Sequence, residues 1–140
     1  MLTRRYRRTG LLAGLILLLS AGGWWWTYVS PYAYQTPPGL AVTYTQDPQR
    51  VFVYGTLRSS ALRWLLTGDT LAATSAVLPG FSKQGLDLVE TPDGHLRGLV
   101  FYVDAAGLRR LDRYERLGIR YTRVELLLAD GKPAWVYRRL

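Results

Sequence analysis

The fold of this chain is decided by the stretch Val51-Phe52-Val53-Tyr54-Gly55-Thr56-Leu57-Arg58. Its first half is apolar and β-branched, which predicts a strand over Arg50–Tyr54, and Gly55 then predicts a turn. A short helix follows at about Ser60–Leu66, capped by a serine and with leucines along one side. Backbone N–H groups that are left free where a strand turns into a helix can bind an anionic or carbonyl oxygen. Many proteins use such turns for packing alone, so the turn by itself does not define a site.

A second helical segment, residues 104–118, contains the best candidate for a catalytic group. An aspartate opens it as an N-cap, and a glycine ends it. On a helical wheel with Leu108 at zero, Leu111 falls at about 300° and Glu115 at about 340°, so Glu115 points to the apolar face. Asp112 lies near the edge of that face. A carboxylate directed at a core is costly unless it is paired or its pKa is raised, so Glu115 is either a functional acid/base or the structural partner of an arginine.

The remaining strands are predicted from apolar and β-branched runs between turn signals. In chain order they cover Thr70–Leu78, Leu86–Val89, His95–Val103, Tyr121–Leu128 and Pro133–Arg139. A turn at residues 91–94 should join the second and third of these as a hairpin, and an Asp-Gly turn should join the last two. Mixed strands with one or two short helices predict an α+β fold whose sheet curls toward a small mixed β-barrel.

The N-terminal part of the chain predicts a membrane-spanning segment. Four arginines lie within residues 1–9, and no charged residue lies within Gly10–Val29. A helix over Gly10–Val29 spans ~30 Å, which is the thickness of the hydrocarbon core of a bilayer. Three tryptophans, Trp24–Trp26, suit an interfacial aromatic belt. The positive-inside rule predicts that residues 1–9 are cytoplasmic, that residues 10–29 form a single-pass anchor, and that the domain is extracytoplasmic.

The same segment is compatible with a cleaved signal peptide, which would give a secreted protein. Its strongly apolar core, Leu11 to Ala21, is short, and the small residues Ala21-Gly22-Gly23 suit cleavage. We favour the anchor because an aromatic belt serves a helix that is retained in the membrane. Residues 30–46, rich in proline and tyrosine, are expected to form a linker, and residues 47–140 the domain. Both alternatives place the domain outside the cytoplasm.

The distribution of charged and metal-binding residues excludes several classes of function. The chain has 140 residues and a net charge of +8, but four of its 18 Lys and Arg residues lie in the first eight positions. The other 14 are balanced against 10 acidic residues, and no nucleic-acid-binding motif is present. The absence of cysteine excludes disulfides, thiolate metal sites and a cysteine nucleophile. The single histidine, His95, excludes a multi-histidine metal site.

Four segments in a fixed order resemble the gamma-glutamylcyclotransferase-like superfamily, including its gamma-glutamylamine cyclotransferase branch. They are the strand and turn 51–58, the strand Gly98–Val103, the helical Leu111-Asp112-x-Tyr114-Glu115 and the strand Tyr121-x-Arg123. The resemblance extends over about Arg50–Tyr137. It implies a small mixed β-barrel with a single cavity, and a reaction that needs neither a metal nor an organic cofactor.

The resemblance also implies an activity and a site. The reaction is the cyclisation of a gamma-glutamyl amine or peptide to 5-oxoproline with release of the amine, an acyltransferase or lyase type of chemistry. Glu115 matches the catalytic acid/base of the family, and Tyr121 matches a tyrosine that lines the same pocket. The turn that holds the glutamyl end of the substrate maps onto Tyr54, Gly55, Thr56 and Leu57. The expected partners are a small gamma-glutamyl substrate and the membrane, with no nucleic acid.

Two departures from the family pattern keep a second hypothesis open. Arg116 follows the matched glutamate where many relatives have a glycine, and most relatives lack an N-terminal anchor. The alternative is a catalytically silent, membrane-anchored module that binds a ligand or partner on the same fold. The identity of the leaving amine and the oligomeric state are not encoded in any pattern of this sequence.

Overall fold

The computed structural model describes residues 2–28, 30 and 33–140, and for residues 2–8 it describes the backbone only. The chain divides into two compact units, Met1–Gln35 and Thr36–Leu140. The expected anchor ends at Val29, and the expected linker includes Pro31 and Tyr32; these three residues lie outside the described part of the chain.

The first unit contains one long helix, α1 (Leu2–Tyr28). Its stretch Thr9–Tyr28 has a mean hydropathy of 1.4, none of it is buried, and it is long and apolar enough to cross a membrane. Long runs of leucine favour a helix, and in hydrocarbon a helix satisfies its own backbone hydrogen bonds. Signal sequences near an N-terminus have the same length and composition.

The second unit is a mixed five-stranded sheet with two helices. Its strands are β1 (Gln49–Val53), β2 (Thr74–Gln84), β3 (Asp87–Val103), β4 (Tyr121–Leu127) and β5 (Pro133–Arg139). Their order across the sheet is β2-β3-β1-β5-β4, and β1 pairs antiparallel with β3 and parallel with β5. The helices are α2 (Ser60–Thr67), which follows a 3-10 turn at Thr56–Arg58, and α3 (Ala105–Glu115). This is the α+β fold that the sequence predicts.

The sheet curls into a half-barrel whose two outer strands approach each other. The N–H of Ala129, in the turn between β4 and β5, donates to the carbonyl of Val77 in β2 at 2.9 Å. The core inside the curl is apolar and includes Phe52, Leu78, Leu88, Val100, Leu128, Ala134 and Val136. Burial of these side chains drives the curl, because a flat sheet would leave its apolar face exposed to water.

The prediction of a hairpin turn at residues 91–94 is wrong. β2 and β3 are joined instead by Gly85 and the residue after it, and Gly85 has a φ of 61°, which suits the first position of a tight hairpin turn. β3 runs without a break from Asp87 to Val103. The register between β2 and β3 shifts within this strand, since Pro79 pairs with His95 but Phe81 pairs with Glu90. Residues 91–94 therefore bulge opposite the single glycine at position 80. Local turn chemistry is present, but sheet pairing converts it into a bulge.

Both helices begin where the sequence predicts, but their ends or faces differ. Asp104 caps α3, accepting a hydrogen bond from the N–H of Gly107 at 2.6 Å. The helix ends earlier than expected, because Arg116 (φ 52°) already adopts the left-handed conformation, two residues before the glycine at 118 (φ 78°). Ser59 caps α2. The leucine face of α2 is only partly buried, because Leu65 is exposed, whereas Arg63 on the same helix is buried.

Candidate active site

The predicted oxygen-binding turn is formed where β1 leaves the sheet. Gly55 precedes the 3-10 turn, and Leu57 anchors it in the core with only 3% of its surface exposed. A Cβ atom added to Gly55 would meet nothing within 4 Å, so the backbone here is open on one side. Within residues 33–140, no acceptor is found for the N–H groups of Thr56 and Leu57. Two adjacent free N–H groups beside an open glycine are suited to binding a negatively charged oxygen.

Glu115, the last residue of α3, is half-buried, and its carboxylate has no partner among the residues that the structure describes. No hydrogen bond or ion pair to its carboxylate is found within the described residues. Burial raises the pKa of Glu115 to about 7, and the charge of Arg120 opposes that shift. A carboxyl group with a pKa near neutrality can both accept and return a proton, which is the property of a general acid/base.

Two tyrosines lie within electrostatic range of Glu115. Burial, and then the charges of Tyr121 and Glu115, raise the pKa of Tyr54 to about 12. Burial also raises the pKa of Tyr121, with Glu115 as the next contribution. The hydroxyl of Tyr54 donates to the carbonyl of Tyr137 at 2.8 Å. These mutual effects show that the structure brings Tyr54, Tyr121 and Glu115 into one region.

The turn is also linked directly to the end of α3. The hydroxyl of Thr56 lies 3.4 Å from the hydroxyl of Tyr114, the residue immediately before Glu115. Thr56 belongs to the turn and Tyr114 to the helix, so the two predicted halves of the site adjoin each other. All six residues singled out from the sequence therefore lie around one region: Tyr54, Gly55, Thr56, Leu57, Glu115 and Tyr121.

Charged residues from two strands, β3 and β5, lie near this region. Arg138 pairs with Glu90 at 3.0 Å, and Arg139 pairs with Asp87 at 3.4 Å, which links the end of β5 to the start of β3. Asp87 raises the pKa of Tyr54, and Arg138 lowers it. No sequence pattern marks these residues, because only the curl of the sheet brings the start of β3 next to β5.

A second buried carboxylate, Asp112, lies one turn before Glu115 and is fully satisfied. Its carboxylate accepts hydrogen bonds from the hydroxyls of Tyr137 at 2.6 Å and Tyr44 at 2.8 Å. It also pairs with Arg123 at 2.9 Å. Burial raises the pKa of Asp112, whereas the hydrogen bond from Tyr137 and then the charge of Arg123 lower it. The sequence placed Asp112 at the edge of the apolar face, but the structure buries it, with 1% of its surface exposed.

Comparison with known proteins gives the family. Residues 51–139 match the family described as "Gamma-glutamyl cyclotransferase, AIG2-like". Because the match covers well over half of the chain, this protein belongs to that family, as the four sequence segments indicated. The comparison with curated proteins gives no match.

Solved structures with similar folds come from several sources. Two Arabidopsis thaliana proteins of known solution structure are 24% and 28% identical, with TM-scores of 0.57 and 0.58. The alignments cover 71% and 69% of this chain, and 66% and 70% of those proteins, so the chain spans just under two thirds of the first one. A structure titled gamma-glutamyl cyclotransferase is 16% identical with a TM-score of 0.52, and covers 67% of this chain and 68% of its own. At that identity the likeness concerns the fold.

Proposed function

We propose that residues 36–140 form a gamma-glutamyl cyclotransferase in which Glu115 is the general acid/base. The substrate is a gamma-glutamyl amine or peptide, and the products are 5-oxoproline and the free amine. The observation that carries the proposal is a carboxyl group with a pKa of about 7 and no partner among the described residues, beside a turn with two free N–H groups. Family membership supports a cyclotransferase type of enzyme.

The reaction needs only proton transfer and positioning. The α-amino group of the substrate attacks its own γ-carbonyl carbon, so a new C–N bond closes a five-membered ring and the original amide C–N bond then breaks. Glu115, in its carboxylate form, takes one proton from the α-ammonium group before the attack and passes it to the leaving nitrogen. The second proton that the ring nitrogen loses is taken up by the released amine, which leaves as an ammonium ion. No water is consumed. Since both reacting groups belong to one molecule, the protein must hold the substrate in its folded, reactive conformer.

The turn supplies the binding and electrostatic part of this chemistry. The free N–H groups of Thr56 and Leu57 bind an oxygen of the glutamyl end, either its carboxylate or the carbonyl oxygen that becomes negative during attack. Tyr54 and Tyr121 have raised pKa values and therefore stay neutral, so their hydroxyls serve as hydrogen-bonding groups and not as bases. Gly55 keeps the approach to the backbone open.

A substrate panel tests this proposal. The full-length protein in detergent micelles is incubated with gamma-glutamyl amino acids and gamma-glutamyl amines, and 5-oxoproline and the released amine are measured together. We expect equal amounts of the two products from at least one compound. Glu115→Gln should lose that activity, and Glu125→Gln, which changes an exposed carboxylate on β4, should keep it.

Two results would contradict the proposal in different ways. Turnover by Glu115→Gln at the wild-type rate removes Glu115 from the acid/base role. Binding of a gamma-glutamyl compound without any 5-oxoproline, across the whole panel, identifies the silent binding module instead.

We also propose that α1 is an uncleaved membrane anchor with its N-terminus in the cytoplasm and the domain on the other side. The support is the length and hydropathy of Thr9–Tyr28, the four arginines before it and the tryptophans at its end. Cell fractionation with intact-mass measurement tests it. The full mass in the membrane fraction is expected, and a soluble product starting near Trp24 would identify a cleaved signal.

A further inference from the structure

Arg63, on α2, is a buried cation that the proposed chemistry does not use. Only 5% of its surface is exposed, and its guanidinium lies 5.3 Å from the centre of the Phe101 ring. Within residues 33–140 it has no carboxylate partner. Burying a charge without an opposite charge costs free energy, so such an arginine depends on strong hydrogen bonds to other groups.

Three backbone carbonyl groups accept those hydrogen bonds. Nη1 of Arg63 donates to the carbonyl of Leu57 at 2.9 Å and to that of Arg58 at 2.8 Å. Nε donates to the carbonyl of Thr70 at 3.0 Å. Two of the three acceptors belong to the 3-10 turn of the candidate site. Arg63 therefore fixes the orientation of two successive peptide groups in that turn.

The first of these peptide groups leads to the free N–H of Thr56. In a trans peptide the C=O and N–H point in opposite directions, and the described residues contain no cis peptide. The carbonyl of Leu57 shares its peptide group with the N–H of Arg58, which donates to the carbonyl of Gly55 at 3.1 Å. The carbonyl of Gly55 in turn shares its peptide group with the N–H of Thr56. The relay runs from Arg63 through two peptide groups and ends on that N–H.

The second peptide group leads in the same way to the free N–H of Leu57. The carbonyl of Arg58 shares its peptide group with the N–H of Ser59, which donates to the carbonyl of Thr56 at 3.0 Å. The carbonyl of Thr56 shares its peptide group with the N–H of Leu57. Both free N–H groups are thus the ends of relays that begin on one guanidinium group.

Such relays change the strength of the terminal N–H groups as well as their direction. Hydrogen bonds in a series polarise one another, and a donor at the start that carries a full positive charge polarises them most. Because no carboxylate neutralises Arg63 within the described residues, its charge also adds to the positive potential at the turn. Both effects favour a negatively charged oxygen at the N–H groups of Thr56 and Leu57.

We propose that Arg63 is a positioning residue, which orients and polarises the N–H groups of Thr56 and Leu57 through these two relays and so strengthens the binding of an anionic substrate oxygen. The inference rests on the proposed function for the identity of that oxygen. Arg63 does not touch the substrate, and it acts only through the backbone of the turn.

The test combines substitution with chemical rescue in the full-length protein in detergent micelles. Arg63→Ala removes the start of both relays and leaves a space of guanidinium shape beside the three carbonyls. We expect kcat/KM for the best panel substrate to fall by on the order of tenfold or more, mainly through KM, because an oxygen that is already anionic in the bound substrate loses part of its binding to the two N–H groups. Guanidinium chloride at about 20 mM, far below denaturing concentrations, should restore part of the activity. The pH midpoint of the activity should not move.

A matched control and a measurement that needs no turnover complete the design. Arg110→Ala removes an exposed arginine whose Nη1 donates to the carbonyl of Thr67, also on α2, at 2.6 Å. It should leave KM unchanged and show no response to guanidinium. In amide NMR spectra, the Thr56 and Leu57 resonances should move upfield in Arg63→Ala and return with guanidinium. If Arg63→Ala does not fold, Arg63→Lys serves for the same spectra.

The outcomes separate this inference from the proposed function. Unchanged KM together with unchanged Thr56 and Leu57 resonances in a folded Arg63 variant would overturn the inference, even if Tm falls, because a purely structural arginine behaves in that way. Wild-type protein that makes no 5-oxoproline contradicts the proposed function alone, since the resonance shifts and their rescue remain measurable.

Discussion

Asp112 and Glu115 lie one turn apart on α3, and both carboxyl groups have pKa values raised by burial. Asp112 is enclosed by Tyr44, Arg123 and Tyr137, each of which donates to its carboxylate. Glu115 has no donor within the described residues. The two residues share a helix and a charge type, but their surroundings are opposite.

This difference supports a structural role for Asp112 and the proposed acid/base role for Glu115. A buried acid with every oxygen satisfied is fixed in place and cannot exchange protons without breaking its network. A buried acid without partners destabilises the fold and is retained where chemistry requires it. Asp112 therefore holds α3 in its place, whereas the carboxylate of Glu115 is the one that the proposed function assigns to acid/base chemistry.

The largest expected effect is the loss of activity in Glu115→Gln. Removal of a general acid/base typically lowers the rate by about a hundredfold to ten-thousandfold. Steady-state kinetics with 5-oxoproline detection measures this loss, and circular dichroism should show an unchanged fold. If Asp112→Asn loses as much activity at full stability, the division of roles between the two carboxylates is wrong.

The second effect is on stability and should appear only at Asp112. Asp112→Asn breaks a buried ion pair and leaves Arg123 uncompensated, which typically costs about 3–5 kcal/mol of the free energy of unfolding. In a domain of this size such a loss lowers Tm by more than about 10 °C. Asp130→Asn is the matched control. Asp130 lies on the exposed turn between β4 and β5, and the substitution breaks its ion pair with Arg50 of β1. That variant should show a much smaller fall in Tm, because an exposed ion pair contributes little to stability.

The third effect is a pH dependence that belongs to Glu115. Its pKa rises from an ordinary 4.5 to about 7 in the folded protein, so the folded state holds a proton that the unfolded state releases. The associated stability is complete below pH 4.5 and is lost as the pH rises through 7. Over that range the free energy of unfolding of the wild type should fall relative to that of Glu115→Gln by at most about 3 kcal/mol. The fall is measured as a decrease in Tm of the wild type relative to the variant. Parallel Tm curves of the two proteins would show that Glu115 is not perturbed.

The same titration should control activity with the opposite sign. The proton acceptor is the carboxylate form, so kcat/KM should rise with pH along an acid limb with its midpoint near 7. Arg120 lowers the pKa of Glu115, so Arg120→Gln should move this midpoint to higher pH. A midpoint that stays in place would mean that Arg120 does not act on the group that titrates.

The smallest effect concerns the segment that leads into the sheet. Tyr44→Phe keeps the ring beside the guanidinium groups of Arg109 and Arg123 but removes the hydroxyl that donates to Asp112. We expect a loss of about 1–2 kcal/mol, read as a fall in Tm. Tyr102→Phe, an exposed position on β3, provides the comparison and should change nothing.

Much of the fold follows from local patterns in the sequence. The apolar run in β1, the aspartate cap of α3 and the Asp-Gly turn between β4 and β5 each act over a few residues, so they are readable without a structure. The misplaced hairpin has the opposite character. The stretch 91–94 has ordinary turn chemistry, but its long-range pairing with β2 competes with that local preference and prevails.

The site divides in the same way. The sequence by itself determined that Glu115 points inward and that Gly55 opens a turn, because helical periodicity and the conformational freedom of glycine are local properties. Only the tertiary structure decided which carboxylate has partners. Arg123 and Tyr137 face each other on the β4–β5 hairpin, Tyr44 comes from the segment before β1, and all three meet at Asp112 only in the folded domain. The burial of Arg63 behind the turn was likewise decided only by the tertiary structure. Its acceptors are backbone carbonyls, and because every residue has one, no sequence pattern identifies them.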